Sequence, residues 1–134
     1  MKYNKILVTG ASGVLGNAVK AISSVYDSEF VFLTSSDCDL RNTGATLDIV
    51  AKYKPDAILH LAAVSGGVGL SIKYPAGILR DNVLMTFSIL EAARKFNVKK
   101  TIMTLSTGMY PPNAPLPLKE EYIHNGYPHD SNYS

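Results

Sequence analysis

Three glycines, Gly10, Gly13 and Gly16, stand at even spacing with two residues between each pair. A short apolar run, Ile6-Leu7-Val8, precedes them, and Val14, Leu15, Ala18, Val19 and Ile22 follow at helical spacing. A strand, a glycine turn and a helix in that order bring the free amides of a helix start to one point, where they can hold phosphate. Glycine serves such a turn by allowing a sharp bend, close backbone approach to a pyrophosphate, and tight packing of helix on strand. The chemistry implied is dinucleotide binding, with Gly10, Ser12, Gly13, Val14, Leu15 and Gly16 around the pyrophosphate. Three glycines also suffice for a plain structural turn. The strand before and the helix after favour the binding reading.

Few other side chains have a spacing that suggests chemistry. His60 sits inside the apolar run Ala57–Leu61 and reads as a core histidine rather than a base. His124 and His129 have no cysteine or carboxylate set nearby at ligand spacing, so no metal site is expected. Ser106 and Thr107 follow the apolar run Thr101–Leu105. Position alone fits two hydroxyls ending a strand as well as two hydroxyls serving a site.

These residues need a scaffold, and 134 residues suffice for one domain with a substantial core. The hydrophobic content of 46% and charged content of 18% are those of a globular chain rather than a disordered or membrane-spanning one. A net charge of +2 without any basic block gives no reason to expect nucleic acid as partner. Cys38, the single cysteine, cannot form an intrachain disulfide. With an N-terminal apolar run too short for a signal peptide, the cytoplasm is the expected compartment.

Strand patterns fall at Ile6–Val8, Phe30–Leu33, Ala57–Leu61 and Thr101–Leu105. Between them, helices are expected from Val14 to about Ser24, from an N-cap at Thr43 through Tyr53, and from about Pro75 to Phe96. The last should turn Ile78, Leu79, Val83, Leu84, Phe87 and Leu90 inward. Gly66, Gly67 and Gly69 read as a loop. This alternation predicts an α/β fold, a doubly wound parallel sheet in the order two-one-three-four, with a crevice at the carboxyl ends of strands one and three. Residues 1–110 form the expected domain. Residues 111–134, with Pro111, Pro112, Pro115 and Pro117, read as a loop leading into a further segment.

The glycine spacing resembles that of the short-chain dehydrogenase/reductase family, whose fold is an NAD(P)-binding Rossmann-like sheet. Asp39-Leu40 is similar to the family segment that contacts the adenine ring. His60-Leu61-Ala62-Ala63 is similar to the stretch that lines the cofactor, and Asn82 to a helix asparagine that supports the site. Within the family, Val64-Ser65-Gly66-Gly67, Lys73-Tyr74, Leu105-Ser106-Thr107 and Tyr110-Pro111 resemble the GDP-fucose synthase group of epimerase–reductases. Ile123-His124-Asn125-Gly126, with Pro128-His129 and Ser131-Asn132, is the most specific of these matches.

The resemblance implies cofactor contacts at Ser35, Ser36, Asp39, Leu40, Leu61, Ala62, Ala63 and Leu105. It implies a site serine at Ser106 that orients a carbonyl and a neighbouring hydroxyl at Thr107. The expected substrate is a nucleotide sugar of the GDP-4-keto-6-deoxymannose class, and a homo-oligomer is expected. No carboxylate directly ends the second strand, and Ser12, Ser35 and Ser36 offer hydroxyls for a 2′-phosphate, so NADP(H) is expected over NAD(H).

Three departures limit the catalytic reading. Gly108 stands where the group has a cysteine that takes part in epimerisation. Thr34-Ser35-Ser36 stands where it has a basic residue. No Tyr-x-x-x-Lys motif occurs, and Tyr133 is the nearest candidate for its tyrosine. The expectation is a sheet truncated at about four strands, lacking the substrate domain and inactive alone. A non-catalytic dinucleotide-binding module and an incomplete gene product remain as alternatives.

Overall fold

The computed structural model describes residues 2–128. They fall into two compact units. The first comprises the chain up to Val64 together with Arg80–Thr104, and the second comprises Ser65–Leu79 and the segment from Leu105.

The first unit is built on four parallel strands, β1 (Lys5–Thr9), β2 (Glu29–Leu33), β3 (Ala57–His60) and β4 (Lys100–Met103). Their order is β2-β1-β3-β4, as the alternation of elements predicts. Leu7 pairs with Val31 and Ile58, and Leu59 pairs with Ile102. Side chains alternate across a strand, so Leu7, Leu33, Ile58 and Met103 share one face while Val8, Phe32, Leu59 and Ile102 share the other.

The first face carries the core. Leu7, Leu33 and Ile58 pack with Val50 of α2 (Thr43–Tyr53) and with Met85, Ile89 and Ala92 of α4 (Pro75–Lys95). Helix α1 (Val14–Ile22) lies on the second face, where Lys20 Nζ sits 5.8 Å from the ring centre of Phe32. That placement follows from right-handed crossovers, which send the β1–β2 and β2–β3 connections to opposite sides. The second face is less covered, and Ile102 of the edge strand is 51% exposed.

Several local expectations need correction. The N-cap of α2 is Asn42, whose Oδ1 accepts from the Ala45 amide at 3.1 Å, and Thr43 is the first helical residue. Lys54 ends that helix in the left-handed region, at φ 48°, directly before Pro55. Two strands stop earlier than their apolar runs, β3 at His60 and β4 at Met103. Of the apolar residues spaced along α1, Val14 is 88% exposed and Leu15 and Ile22 are half exposed. What α1 buries is Gly16.

Helix α4 differs in the same way. Leu79, Val83, Leu84, Phe87 and Leu90 are exposed, while Ile78, Met85, Ser88, Ile89, Ala92 and Ala93 are buried. This helix is apolar on two sides. Small residues settle which one meets the sheet, because Ser88 and Ala92 let the backbone approach where leucines would hold it away. Ser88 Oγ also hydrogen-bonds Thr43 Oγ1 at 2.9 Å, tying α4 to the start of α2.

The second unit contains α3 (Gly67–Lys73), a helix where the glycines suggested a loop, and two 3-10 turns, Thr107–Met109 and Glu120–His124. No described helix is long and apolar enough to cross a membrane.

Candidate functional site

Reversal of strand order at β1 sends the chain away in opposite directions from neighbouring strand ends, which opens a crevice. It is a cleft of about 470 Å³ within the first unit. The turn after β1 contributes Gly10, Ser12 and Gly13 to its walls. The segment after β2 contributes Leu33, Thr34, Ser35 and Cys38 through Arg41. The segment after β3 contributes Leu61 through Val64, and α4 contributes Met85.

The three glycines have different physical reasons. Gly10 has φ +70°, and a Cβ there would stand 2.7 Å from the Ala62 nitrogen. A Cβ on the buried Gly16 would run into the Gly10 carbonyl and the Ala11 backbone. Both are therefore required by the packing of the turn itself. Gly13 is less constrained: it is extended, with φ −79° and ψ 176°, and a Cβ would meet one atom, the Gly10 oxygen, at a tight 3.3 Å. Its missing side chain keeps the cleft open. Asn17 N donates to Gly13 O at 2.9 Å to start α1, so the amides of Val14, Leu15 and Gly16 have no acceptor within the helix. A glycine on the cleft wall, beside helix-start amides that have no acceptor within the helix, fits a pyrophosphate.

The wall after β3 is pinned from two sides. Thr9 Oγ1 accepts from the Ala62 amide at 3.3 Å and lies 2.7 Å from His60 Nδ1. That bond runs in either direction according to which ring nitrogen of the neutral imidazole carries the hydrogen, since the hydroxyl has a second lone pair besides the one facing the amide. Burial also pushes the His60 pKa down, favouring that neutral form. His60 is a core prop, as its apolar surroundings in the sequence suggest. Asn82 of α4 grips Val64 by both backbone groups, accepting from its amide at 2.7 Å and donating to its carbonyl at 3.0 Å.

The wall after β2 carries the charge. Asp37 turns back on Thr34, accepting from its amide at 2.8 Å and its hydroxyl at 2.7 Å, which holds the carboxyl below its usual range. Arg41 is the one cation among the lining residues, and it is paired with two carboxylates. Its Nε and Nη2 donate to Asp39 at 2.9 Å each, and its Nη1 donates to Asp81 of α4 at 3.1 Å. Hydrogen bonds from Arg41 hold the Asp39 carboxyl well below the usual carboxylate range. Burial pushes the Cys38 thiol up.

Of the residues read from sequence, Gly10, Ser12, Gly13, Ser35, Asp39, Leu40, Leu61, Ala62 and Ala63 share this cleft. Val14, Leu15, Gly16 and Ser36 do not line it. Leu105, Ser106 and Thr107 belong to the second unit, where Ser106 Oγ accepts from the Gly108 amide at 3.1 Å. Tyr133, with His129, Ser131 and Asn132, lies outside the described residues. Sequence reasoning did not assign Leu33, Thr34, Cys38, Arg41, Val64 or Met85 to the site. Only Arg41 carried a signal, as a cation two residues from an aspartate already assigned to the site. Among the described residues no cluster of three His, Cys, Asp or Glu could hold a metal ion.

The family model described as NAD dependent epimerase/dehydratase matches residues 6–134. The chain belongs to this family. It is 38% identical over 130 residues to a GDP-L-fucose synthase of Dictyostelium discoideum. That match covers 95% of this chain and 41% of the relative. A probable GDP-L-fucose synthase of Drosophila melanogaster is 37% identical over 132 residues, 96% of this chain and 41% of the relative. A crystal structure of a GDP-L-fucose synthetase from Naegleria fowleri bound to NADP matches with a TM-score of 0.84 and 39% identity. It covers 97% of this chain and 39% of that one. The chain thus spans about two fifths of the length of the relatives it matches.

Proposed function

We infer that this chain supplies the cofactor-binding portion of an NADP(H)-dependent nucleotide-sugar epimerase/reductase of the GDP-L-fucose synthase type. The observation that carries this reading is Gly13, an extended glycine on the cleft wall directly before the start of α1. NADP(H) fits the donor set better than NAD(H). Ser12 and Ser35 bring hydroxyls to the cleft, and Asp37, the carboxylate nearest the end of β2, is engaged with the Thr34 amide and hydroxyl. When bound, the nicotinamide supplies or accepts a hydride. The residues of this chain hold the dinucleotide, through Gly10–Gly16 for the pyrophosphate and Asp39-Leu40 for the adenine end, while Ser106 and Thr107 offer hydroxyls to a carbonyl substrate. Gly108 has no side-chain proton to exchange, so position 108 does not serve epimerisation.

The relatives named above are enzymes of GDP-sugars, and a GDP-4-keto-6-deoxyhexose is the substrate proposed for the protein to which this fold belongs. The exposed stripe Val83, Phe87 and Leu90 on α4 suits packing against a second copy. Calorimetric titration of the 134-residue chain with NADPH and NADH tests the cofactor assignment. Tighter binding of NADPH is expected, and tighter binding of NADH overturns it. The same preparation should oxidise NADPH against a keto-sugar at least about 10²-fold more slowly than a GDP-L-fucose synthase, since no Tyr-x-x-x-Lys pair is present to protonate the forming alkoxide.

A further inference from the structure

The opposite end of the sheet carries a second cleft, of about 380 Å³. It lies within the first unit, where α2 and α4 end and β3 and β4 begin. Ala51, Pro55 and Phe96 give it an apolar floor, and Lys54, Asn97 and Lys99 stand at its rim. Among the described residues, Lys54 at φ 48° and Asn97 at φ 53° are the two non-glycine residues in the left-handed region, and both line this cleft. Glycine is the usual residue at such a position after a helix, because a Cβ there is strained. Asparagine tolerates that backbone better than most residues, whereas lysine takes it at a cost. Offsetting the dipole of α2 does not account for Lys54, since Lys52 already places a cation in the last turn.

The charges around the cleft are unevenly spent. Asp56, its one lining carboxylate, accepts from Lys99 Nζ at 2.6 Å and from the Asn4 and Lys5 amides at 3.0 and 3.1 Å. Glu91, one turn before Lys95 on α4, is held by Nε and Nη2 of Arg94. Lys54 and Lys95 belong to no ion pair among the described residues. Lys95 Nζ instead lies 5.8 Å from the ring centre of Phe96. An apolar strip thus runs beside two uncommitted ammonium groups. A bare phosphate would use the cations and leave the strip wet.

We propose that this cleft docks an acidic peptide segment of a partner protein, with one apolar side chain on Phe96 and Ala51 and flanking carboxylates on Lys54 and Lys95. Charge then gives the preference for acidic sequences, and the strip gives a place to the side chain between them.

Fluorescence anisotropy of a labelled peptide, Gly-Asp-Asp-Phe-Asp-Asp-Gly, titrated with the 134-residue chain tests this. Saturable binding is expected, about tenfold or more tighter than for the same peptide with lysines in place of the aspartates. Alanine in place of the phenylalanine should weaken it by about threefold or more. Lys54→Gly separates docking from folding. Relief of the left-handed strain should leave its melting temperature equal or higher, while peptide affinity falls by about threefold or more. Lys95→Glu, at an exposed position, should weaken the peptide by about tenfold in a chain whose melting curve shows it folded. A lower melting temperature in Lys54→Gly would contradict the claim that lysine is there for a partner. Absence of saturable binding, equal affinity for the acidic and lysine peptides, or unchanged affinity in both variants overturns the proposal.

Discussion

At the residue scale the site divides into groups that hold the wall and groups that meet a ligand. His60 holds the wall, and its contribution depends on pH in a defined direction. Its folded pKa is lowered by burial, whereas in the unfolded chain it titrates near about 6.5. The unfolded state therefore binds the proton more readily, and the stability from the neutral His60–Thr9 pair is complete above about 6.5 and is lost as pH falls from there toward the folded value. Melting temperatures measured from pH 8 to pH 5 should decline through that window, and His60→Gln should flatten the decline. An equal slope in the variant would remove His60 as the cause. The sequence made His60 legible as a core residue because its neighbours Ile58, Leu59 and Leu61 are apolar. The partnership with Thr9, fifty-one residues away, was not legible, because strand pairing alone creates it.

At the element scale, α4 carries two apolar stripes, and the sequence could not say which one meets the sheet. Spacing picks out a helix, but large residues at Val83, Phe87 and Leu90 outweigh Ser88 and Ala92 in any pattern based on hydrophobicity. The structure chooses the small ones, since close helix–sheet contact is a matter of shape. Two substitutions separate the stripes. Ile89→Ala, at a fully buried position, should cost about 2–5 kcal/mol of stability, read as a lower denaturant midpoint. Phe87→Asp, at a position 59% exposed, should leave that midpoint nearly unchanged and shift the protein toward monomer in light scattering. A large loss of stability in Phe87→Asp would mean that the outward stripe is a core surface after all. Helix α1 tells a similar story, since its apolar residues were readable and what they face was not.

At the scale of the whole molecule, the order β2-β1-β3-β4 followed from alternating strand and helix patterns and the right-handed crossover, so the crevice could be placed before any coordinate was known. The two-unit division could not, because Ser65–Leu79 joins the segment from Leu105 through contacts between distant parts of the chain. The parallel sheet ends at β4, an edge strand with Ile102 half exposed beside it. Everything proposed for the crevice depends on its receiving a dinucleotide, and the glycine turn allows that to be separated from folding. Gly10→Ala should destabilise the protein by about 2 kcal/mol or more, since a side chain at φ +70° is strained and meets the Ala62 backbone. Gly13→Val should fold and lose less stability than Gly10→Ala, because its backbone is extended and an added Cβ meets a single atom, the Gly10 oxygen, at a tight 3.3 Å. The most direct measurement is a calorimetric titration of the Gly13→Val chain with NADPH beside the unaltered one. The account predicts saturable binding to the unaltered chain and a loss of about a hundredfold or more in a folded Gly13→Val, as the branched side chain fills the place of the pyrophosphate. Equal affinity in the two chains would contradict it.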